Sequence, residues 1–287
     1  MVSPAERRAA VVWARAAYRV SERRACRALE VERTMVRYQP HGPDDRPVRA
    51  RLRELAHARP AFGIKRLHVL IRREGWAINH KKTHRLYKLE GLQVRTKRRQ
   101  KTASHARVTV PRPQGVNEAW SMDFVSDRLE SGRKLRILTI VDQYSRECVA
   151  VEADFSLTGE KVVACLEVLK KLRGVPKSIT VDNGPEFISK ALDAWAYRSN
   201  VKLQFIRPGK PIENAFIESF NGRLRDEFLN VDVFGTLEEV RHKLEAWKYD
   251  YNTARPHGSI DGKTPLEYAK MLNLGLQTTK NLNQLLA

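Results

Sequence analysis

Apolar residues recur at helical spacing through the front of the chain, and from Glu118 the pattern shifts to short strand-like runs. In the first stretch, Ala9, Val12, Ala16 and Ala17 predict one helix face. Ser21-Glu22 reads as an N-cap before a helix over 23–29, and a third helix covers 33–38. Pro40-His41-Gly42-Pro43 breaks the run. A second helical set follows: Leu52, Leu55 and Ala56 on one face, then Ile64, Leu67, His68 and Ile71 on another. Gly75-Trp76 turns the chain, Asn79 caps a helix bearing Thr83, Leu86, Tyr87 and Leu89, and Gly91 closes it. Beyond Glu118, strands are predicted over 119–125, 135–141 and 148–151, with a turn at 142–146. A helix over 158–172 carries Val162, Val163, Leu166, Leu169 and Leu172 on one face. Next come a strand at 178–181, a helix at 188–199, a strand at 201–206 and a helix from Pro211 to about Leu229. The order β-β-β-α-β-α-β-α is that of a mixed α/β sheet. Val240, Leu244 and Trp247 form a later helix face that packs on this domain, and Trp195, Tyr249 and Tyr251 are spaced as packing residues.

Charge divides the chain where the pattern does. The 287 residues carry a net charge of +20, and that length suits about two domains. Residues 1–110 hold 28 Lys and Arg against 9 Asp and Glu, whereas residues 111–287 hold 25 against 24. A basic front points to a polyanion, most often nucleic acid. Three short helices, a tight turn and a basic last helix resemble a helix-turn-helix module. Lys65, Arg66, Lys81, Lys82 and Arg85 are its candidate DNA contacts. Residues 93–114 form a basic linker around Arg95-Thr96-Lys97-Arg98-Arg99, able to track phosphates. No apolar run is long enough for a membrane span, and Met1 to Glu6 shows no signal-peptide core. Cys26, Cys148 and Cys165 make neither a disulfide framework nor a zinc half-site, which suits a reducing cytoplasm.

Three acids stand in apolar surroundings: Asp123 within a strand, Asp182 at the end of one, and Glu218 on a helix. A carboxylate in a buried sheet is costly unless paired or bound to metal. Between Asp182 and Glu218 lie 35 residues. That spacing resembles the D,D(35)E signature of retroviral integrases and insertion-sequence transposases. So do the contexts Asp182-Asn183-Gly184-Pro185-Glu186-Phe187 and Asn214-Ala215-Phe216-Ile217-Glu218-Ser219-Phe220-Asn221-Gly222. With Tyr251-Asn252, Arg255-Pro256-His257 and Thr264-Pro265, the chain is similar to the second-frame (OrfB type) transposases of the IS-3 family.

The resemblance implies an RNase H-like core, a mixed five-stranded sheet with helices on both faces, preceded by small all-α helix-turn-helix modules. The implied domains are 1–40, helical; 44–92, DNA-binding; 93–114, linker; 115–230, catalytic; and 231–287, a helical tail packed on the core. It further implies DNA strand cleavage and strand transfer with two Mg²⁺, or Mn²⁺ in their place. Asp123 is then shared by both ions, while Asp182 and Glu218 each hold one. The implied partners are element ends and target DNA, the upstream-frame protein or a fusion with it, and further copies of the chain, in the bacterial cytoplasm at the nucleoid. Two alternatives stay open: a DNA-binding regulator without catalysis, and an RNase H-like nuclease that does not join ends.

On the Glu218 helix, Asn214, Asn221, Gly222 and Arg225 share the side of the acid and form a polar strip, expected to face DNA. Arg225 matches a position at which the family contacts terminal DNA. Phe216, Phe220, Leu224 and Phe228 form the apolar face. Asp142 reads as a turn residue, and Gln143 departs from the family, which often has an acid there. Glu186 and Glu213 are competing acids that flank the candidates, and Glu213, with 30 residues between it and Asp182, fits the register worse. By analogy with the family, Pro208-Gly209-Lys210-Pro211 is a mobile loop near the site. His80 and His84 have metal-ligand spacing but no cysteine pair, and are read as surface or phosphate-facing.

Overall fold

A computed structural model describes residues 3–38, 44–94, 113–207 and 214–271. The predicted linker residues 95–112, the loop 208–211 and Glu213 lie outside the described residues. The chain divides into two compact units, 1–47 and 48–287.

The first unit holds α1 (Pro4–Tyr18), α2 (Glu22–Ala28) and α3 (Arg33–Arg37). Ser3 and Ser21 cap the first two, each side chain accepting a backbone N–H of the first turn. Its core is Val11, Ala14, Ala25, Cys26 and Val31. The expected α1 face is therefore corrected: Ala9, Val12, Ala16 and Ala17 are exposed. On an alanine-rich helix several faces are nearly equally apolar, and the packing partners α2 and α3 choose among them.

α4 (Arg46–Ala58) starts at the boundary and leads into the second unit, followed by α5 (Ile64–Arg73) and α6 (His80–Leu89). Leu52, Leu67, Ile71 and Leu86 are fully buried between them. Asn79 caps α6, its side chain accepting the Lys81 N–H at 2.9 Å, and Gly91 at φ 67° turns the chain away. Leu89 is exposed, contrary to the predicted face.

Five strands follow: β1 (Ala119–Arg128), β2 (Lys134–Asp142), β3 (Cys148–Asp154), β4 (Ser178–Val181) and β5 (Lys202–Phe205). Their order is β3-β2-β1-β4-β5. β1 pairs antiparallel with β2 and parallel with β4. Side chains alternate across the strands, so each residue set feeds one face. Trp120, Met122, Leu138, Ile140 and Ile179 pack with α7 (Gly159–Arg173) and α8 (Lys190–Ser199). Val125, Leu135, Ile137 and Val141 pack on the other face with α9 (Ala215–Leu224) and α10 (Leu237–Thr253). This is the mixed sheet with helices on both faces that the RNase H-like reading requires. The tail is integral to it: Trp247 and Tyr251 of α10 meet the Phe220 ring edge-on at 5.6 and 5.0 Å.

Other departures are local. After α9 the helix widens into a π-turn, Arg225–Leu229, which lets Phe228 and Leu229 both reach the core. Leu172 and Tyr249 are exposed. The helix predicted from 188 starts at Lys190 because Ser189 caps it. Among the described residues, no helix is long and apolar enough to cross a membrane.

Gly159 opens α7 where the chain leaves no room for a side chain: an added Cβ would lie 2.3 Å from Ser189 Oγ and 3.1 Å from the Glu186 carbonyl. Gly159→Ala is expected to destabilise the second unit by about 1–3 kcal/mol in denaturant unfolding. Adding Ser189→Gly should recover most of that loss, since a glycine cap costs only a few tenths. Simple additivity of the two changes would contradict the clash.

Candidate active site

The register of β1 brings two of the three acids together. Ser121 pairs with Thr180 across the parallel β1–β4 ladder. Gln143 Nε2 donates to both hydroxyls, at 2.9 and 3.0 Å, which marks them as sharing a face and pins the two strands together. Two steps further along each strand stand Asp123 and Asp182, on that same face by the strand period. The face is the one covered by α9.

Helix α9 supplies the third acid. Asn221 is buried, and its Nδ2 donates to Asp123 Oδ2 at 2.8 Å. The Thr139 hydroxyl donates to Asn221 Oδ1 at 2.9 Å, which orients the amide. Thr139 lies directly opposite Asp123 in the β1–β2 register, so one rung fixes both partners. Asn214, at the start of α9, is also buried, with Nδ2 3.5 Å from the Met122 carbonyl. Residues three and four apart share a helix side, so Glu218 lies between two asparagines applied to β1. It is itself exposed.

Asn214 and Asn221 are thus corrected: the strip expected to face DNA turns its amides onto the strand. The side of a helix that carries an exposed acid need not all be solvent when a sheet edge lies beneath it. Arg225 is exposed, and one guanidinium nitrogen donates to the Ser126 carbonyl at 3.3 Å.

Burial raises the Asp123 carboxyl to about 6, and the nearby negative charges of Asp182 and Glu218 push in the same direction. The Phe124 N–H, 2.7 Å from Oδ1, and the Asn221 amide oppose the rise. The three acids therefore act on one another. Among the described residues, however, no three His, Cys, Asp or Glu side chains are gathered into a closed metal cluster. Nor does any Lys or Arg among them form an ion pair with Asp123, Asp182 or Glu218. An all-oxygen set of like charge suits a hard divalent cation.

The loop after β4 is well braced. Asp182 Oδ1 accepts the Gly184 N–H at 3.0 Å. Phe187 stacks on Phe124 at 4.9 Å, and the Arg136 guanidinium lies over Phe124 while pairing with Glu186. Glu186 is thereby accounted for by Arg136. Asp142 is a turn residue: Oδ1 accepts the N–H groups of Tyr144 and Ser145, and Oδ2 that of Asn117.

The predicted DNA contacts of the helical module separate. Lys65, Lys81 and Arg85 are exposed and Lys82 half-buried, and His80 and His84 are exposed on the same α6. Arg66 is corrected: it turns inward and pairs with Glu227 at 3.2 Å. Arg59 and Arg73, seven residues to either side, do likewise, with Asp250 and Glu267. Arg66 and Arg73 lie seven residues apart on one face of α5, while Arg59 follows the end of α4; that step is visible in the sequence but indistinguishable there from a DNA-facing stripe. Gln143, Thr139 and the positioning role of Asn221 were missed by sequence reasoning, since none is an acid, base or metal ligand.

The chain matches an integrase core domain family over residues 113–211 and a second integrase core domain family over 199–265. Residues 43–100 match an HTH-like domain. It is 44% identical to the insertion element IS407 uncharacterized 31.7 kDa protein of Burkholderia multivorans, over 87% of this chain and 91% of that one. It is 26% identical to the putative transposase InsK for insertion sequence element IS150 of Escherichia coli, over 77% and 82%. Among solved structures, the HTLV-2 integrase catalytic core in complex with magnesium overlaps 55% of this chain and 99% of its own, at 21% identity and TM-score 0.44.

The raised Asp123 carboxyl makes a signed prediction. Its proton is bound more tightly folded than unfolded, so stability falls as pH rises from about 4 through about 6. In chelator, Asp123→Asn removes the charge and also one of the two acceptors used by the Phe124 N–H and Asn221, so it should flatten that pH dependence while staying within about 1 kcal/mol of wild type at pH 7.5. An Asn variant that keeps the wild-type slope between pH 4 and 6 would contradict the like-charge crowding.

Proposed function

This chain belongs to the insertion-sequence transposases of the IS-3 type, with an HTH-like region ahead of an integrase core, and from that premise we propose that it cuts DNA strands and joins them to new ones. Asp123, Asp182 and Glu218 are its catalytic acids. The observation that carries this reading is the placement of Asp123: a half-buried carboxylate on the central strand, near two others, with amide donors holding it.

Two Mg²⁺ ions, or Mn²⁺, would be held here, Asp123 serving both, Asp182 one and Glu218 the other. Bound divalent ions supply a deprotonated water or DNA 3′-hydroxyl and take up charge on the leaving oxygen. The reaction exchanges one phosphodiester P–O bond for another, so no protein nucleophile is required. The residues themselves position and orient. Asn221 and the Phe124 N–H each take one Asp123 oxygen, leaving the remaining lone pairs outward. Gln143 fixes the spacing of β1 and β4, and with it that of Asp123 and Asp182. Lys65, Lys81, Lys82 and Arg85 on the helical module, with Arg225, are the cations offered to DNA. The upstream-frame protein, further copies of the chain and a cytoplasmic setting at the nucleoid complete the proposal.

A disintegration assay tests it without the element ends. Branched DNA mimicking a strand-transfer product is incubated with the chain and Mg²⁺ or Mn²⁺. Wild type should resolve and rejoin it, and Glu218→Gln and Asp182→Asn should each lose more than about 100-fold, with DNA binding kept. Asn221→Ala should lose about 10–100-fold, as expected of a group that orients a ligand. Undiminished joining by Glu218→Gln would overturn the assignment; cutting without joining would favour a nuclease.

A further inference from the structure

The Arg255-Pro256-His257 motif is buried throughout. Its backbone donors are satisfied in place. The Arg255 N–H donates to the Asp250 carbonyl at 2.9 Å and the His257 N–H to the Lys263 carbonyl at 3.0 Å, and Pro256 between them has no N–H. The Arg255 guanidinium grips Glu227 through two bonds of 2.6 Å. Behind it stands His257. The Tyr251 carbonyl can only accept, so His257 Nε2–H donates to it at 3.3 Å and Nδ1 is left to accept from Arg255 at 3.4 Å. Burial and the Arg255 charge hold His257 down to about 3, so the ring stays neutral beside the guanidinium.

Glu227 is shared. Arg66 of α5 pairs with it at 3.2 Å. The buried Phe62 ring lies among the same groups, with the guanidinium carbons of Arg59, Arg66 and Arg255 at 5.1, 5.2 and 5.9 Å from its centroid. One acid and one ring therefore join the helical module to the chain that follows α9. The acids of this joint stand where their own helices disfavour them. Glu227 lies in the π-turn that ends α9, and Asp250 in the last turn of α10. At that end the helix dipole favours cations and opposes anions. What compensates each acid is the arginine it faces on the module, Arg66 or Arg59. Helix α5 carries exposed Lys65 next to the docking Arg66, so the helix that docks also offers a cation to DNA.

We propose that Arg255 and His257 are positioning residues for DNA joining. Neutral His257 sets the Arg255 fork, Arg255 sets Glu227, and Glu227 holds Arg66 of the module. DNA bound by the module then reaches the three carboxylates in a fixed place, because α9 carries Glu218 at one end of the same continuous helical segment and Glu227 at the other. The proposal rests on the DNA-joining reading.

The test uses the full chain and two readouts. One is the single-turnover joining rate in the disintegration assay at saturating DNA and metal. The other is hydrogen exchange at the amides of α5 and α6, which reports local release of the module. Asp250→Arg reverses the charge that faces Arg59 while suiting the end of α10. It should slow joining at least about 10-fold, the scale of a small misplacement of reacting groups, and speed exchange in α5 and α6 alone. Its DNA affinity should match that of Glu238→Arg, the same charge change at an exposed position of α10. Adding Arg59→Asp to Asp250→Arg should restore most of both readouts. Arg255→Lys keeps the charge but loses the two-pronged grip, and should slow joining and loosen α5 in the same way. Unchanged joining in Asp250→Arg, with exchange raised, would overturn the coupling. Exchange raised through the strands as well, with DNA binding lost and no recovery in the swap, would reduce the motif to a structural part. Wild type that joins nothing would sink the joining reading; swap-restored exchange would still support the joint, and exchange unchanged in both single variants would remove it too.

Discussion

Asp123 stands on the central strand with the Asn221 amide against one oxygen and the Phe124 N–H against the other, and the placement of the remaining acids follows from it. Burying a carboxylate is unfavourable unless its oxygens are satisfied. Here the satisfying groups are also the ones that locate the site. Asn221 ties α9 to β1, which sets Glu218 one turn away, and the β1–β4 ladder carries Asp182 alongside. The hydrogen bonds do not neutralise the site. They hold the carboxylate in place while like charge accumulates around it, an arrangement that a cation would relieve and that a purely structural aspartate would have no reason to keep.

The basic character of the chain is spent in two directions. Lys65, Lys81 and Arg85 on α5 and α6 face solvent, as a nucleic-acid surface requires. Arg59, Arg66 and Arg73 are instead paired: they bind Asp250, Glu227 and Glu267 and seat the three-helix module on the C-terminal part of its own unit. Net charge therefore overstates the surface available to DNA. It also explains why residues 231–271 are more than a tail. Their Asp250 and Glu267 join Glu227 as the receiving half of a docking face, and Trp247 and Tyr251 close the core under α9.

Much of this was legible in the sequence, for physical reasons that also mark where reading stopped. The strands were visible because apolar runs of β1, β2 and β4 must bury both faces of the sheet. The acids were visible because carboxylates in such runs are expensive, and the 35-residue interval tied two of them to a known signature. The failures share a cause. Periodicity names which residues lie on one side of a helix and says nothing of what lies against that side. Asn214 and Asn221 share a side with an exposed glutamate and yet meet a strand. Arg66 shares a helix with exposed lysines and yet meets Glu227. On α1, where alanine leaves the faces nearly alike, even the buried side was misjudged.

Helix α9 gathers these threads. One side carries Glu218 between two asparagines fixed to β1, a second buries Ile217, Phe220 and Leu224 in the core, and a third leaves Ser219 and Arg223 exposed. A ten-residue helix is stiff over its length, so these three sides cannot move independently. The Arg225–Leu229 π-turn that ends it rotates the following chain just where Glu227 must meet Arg66 and Arg255. A regular α-helix through that point would place Glu227 elsewhere around the axis and leave the two arginines without their shared acid. The irregularity thus ties the docking of the helical module and the position of Glu218 to a single rigid element.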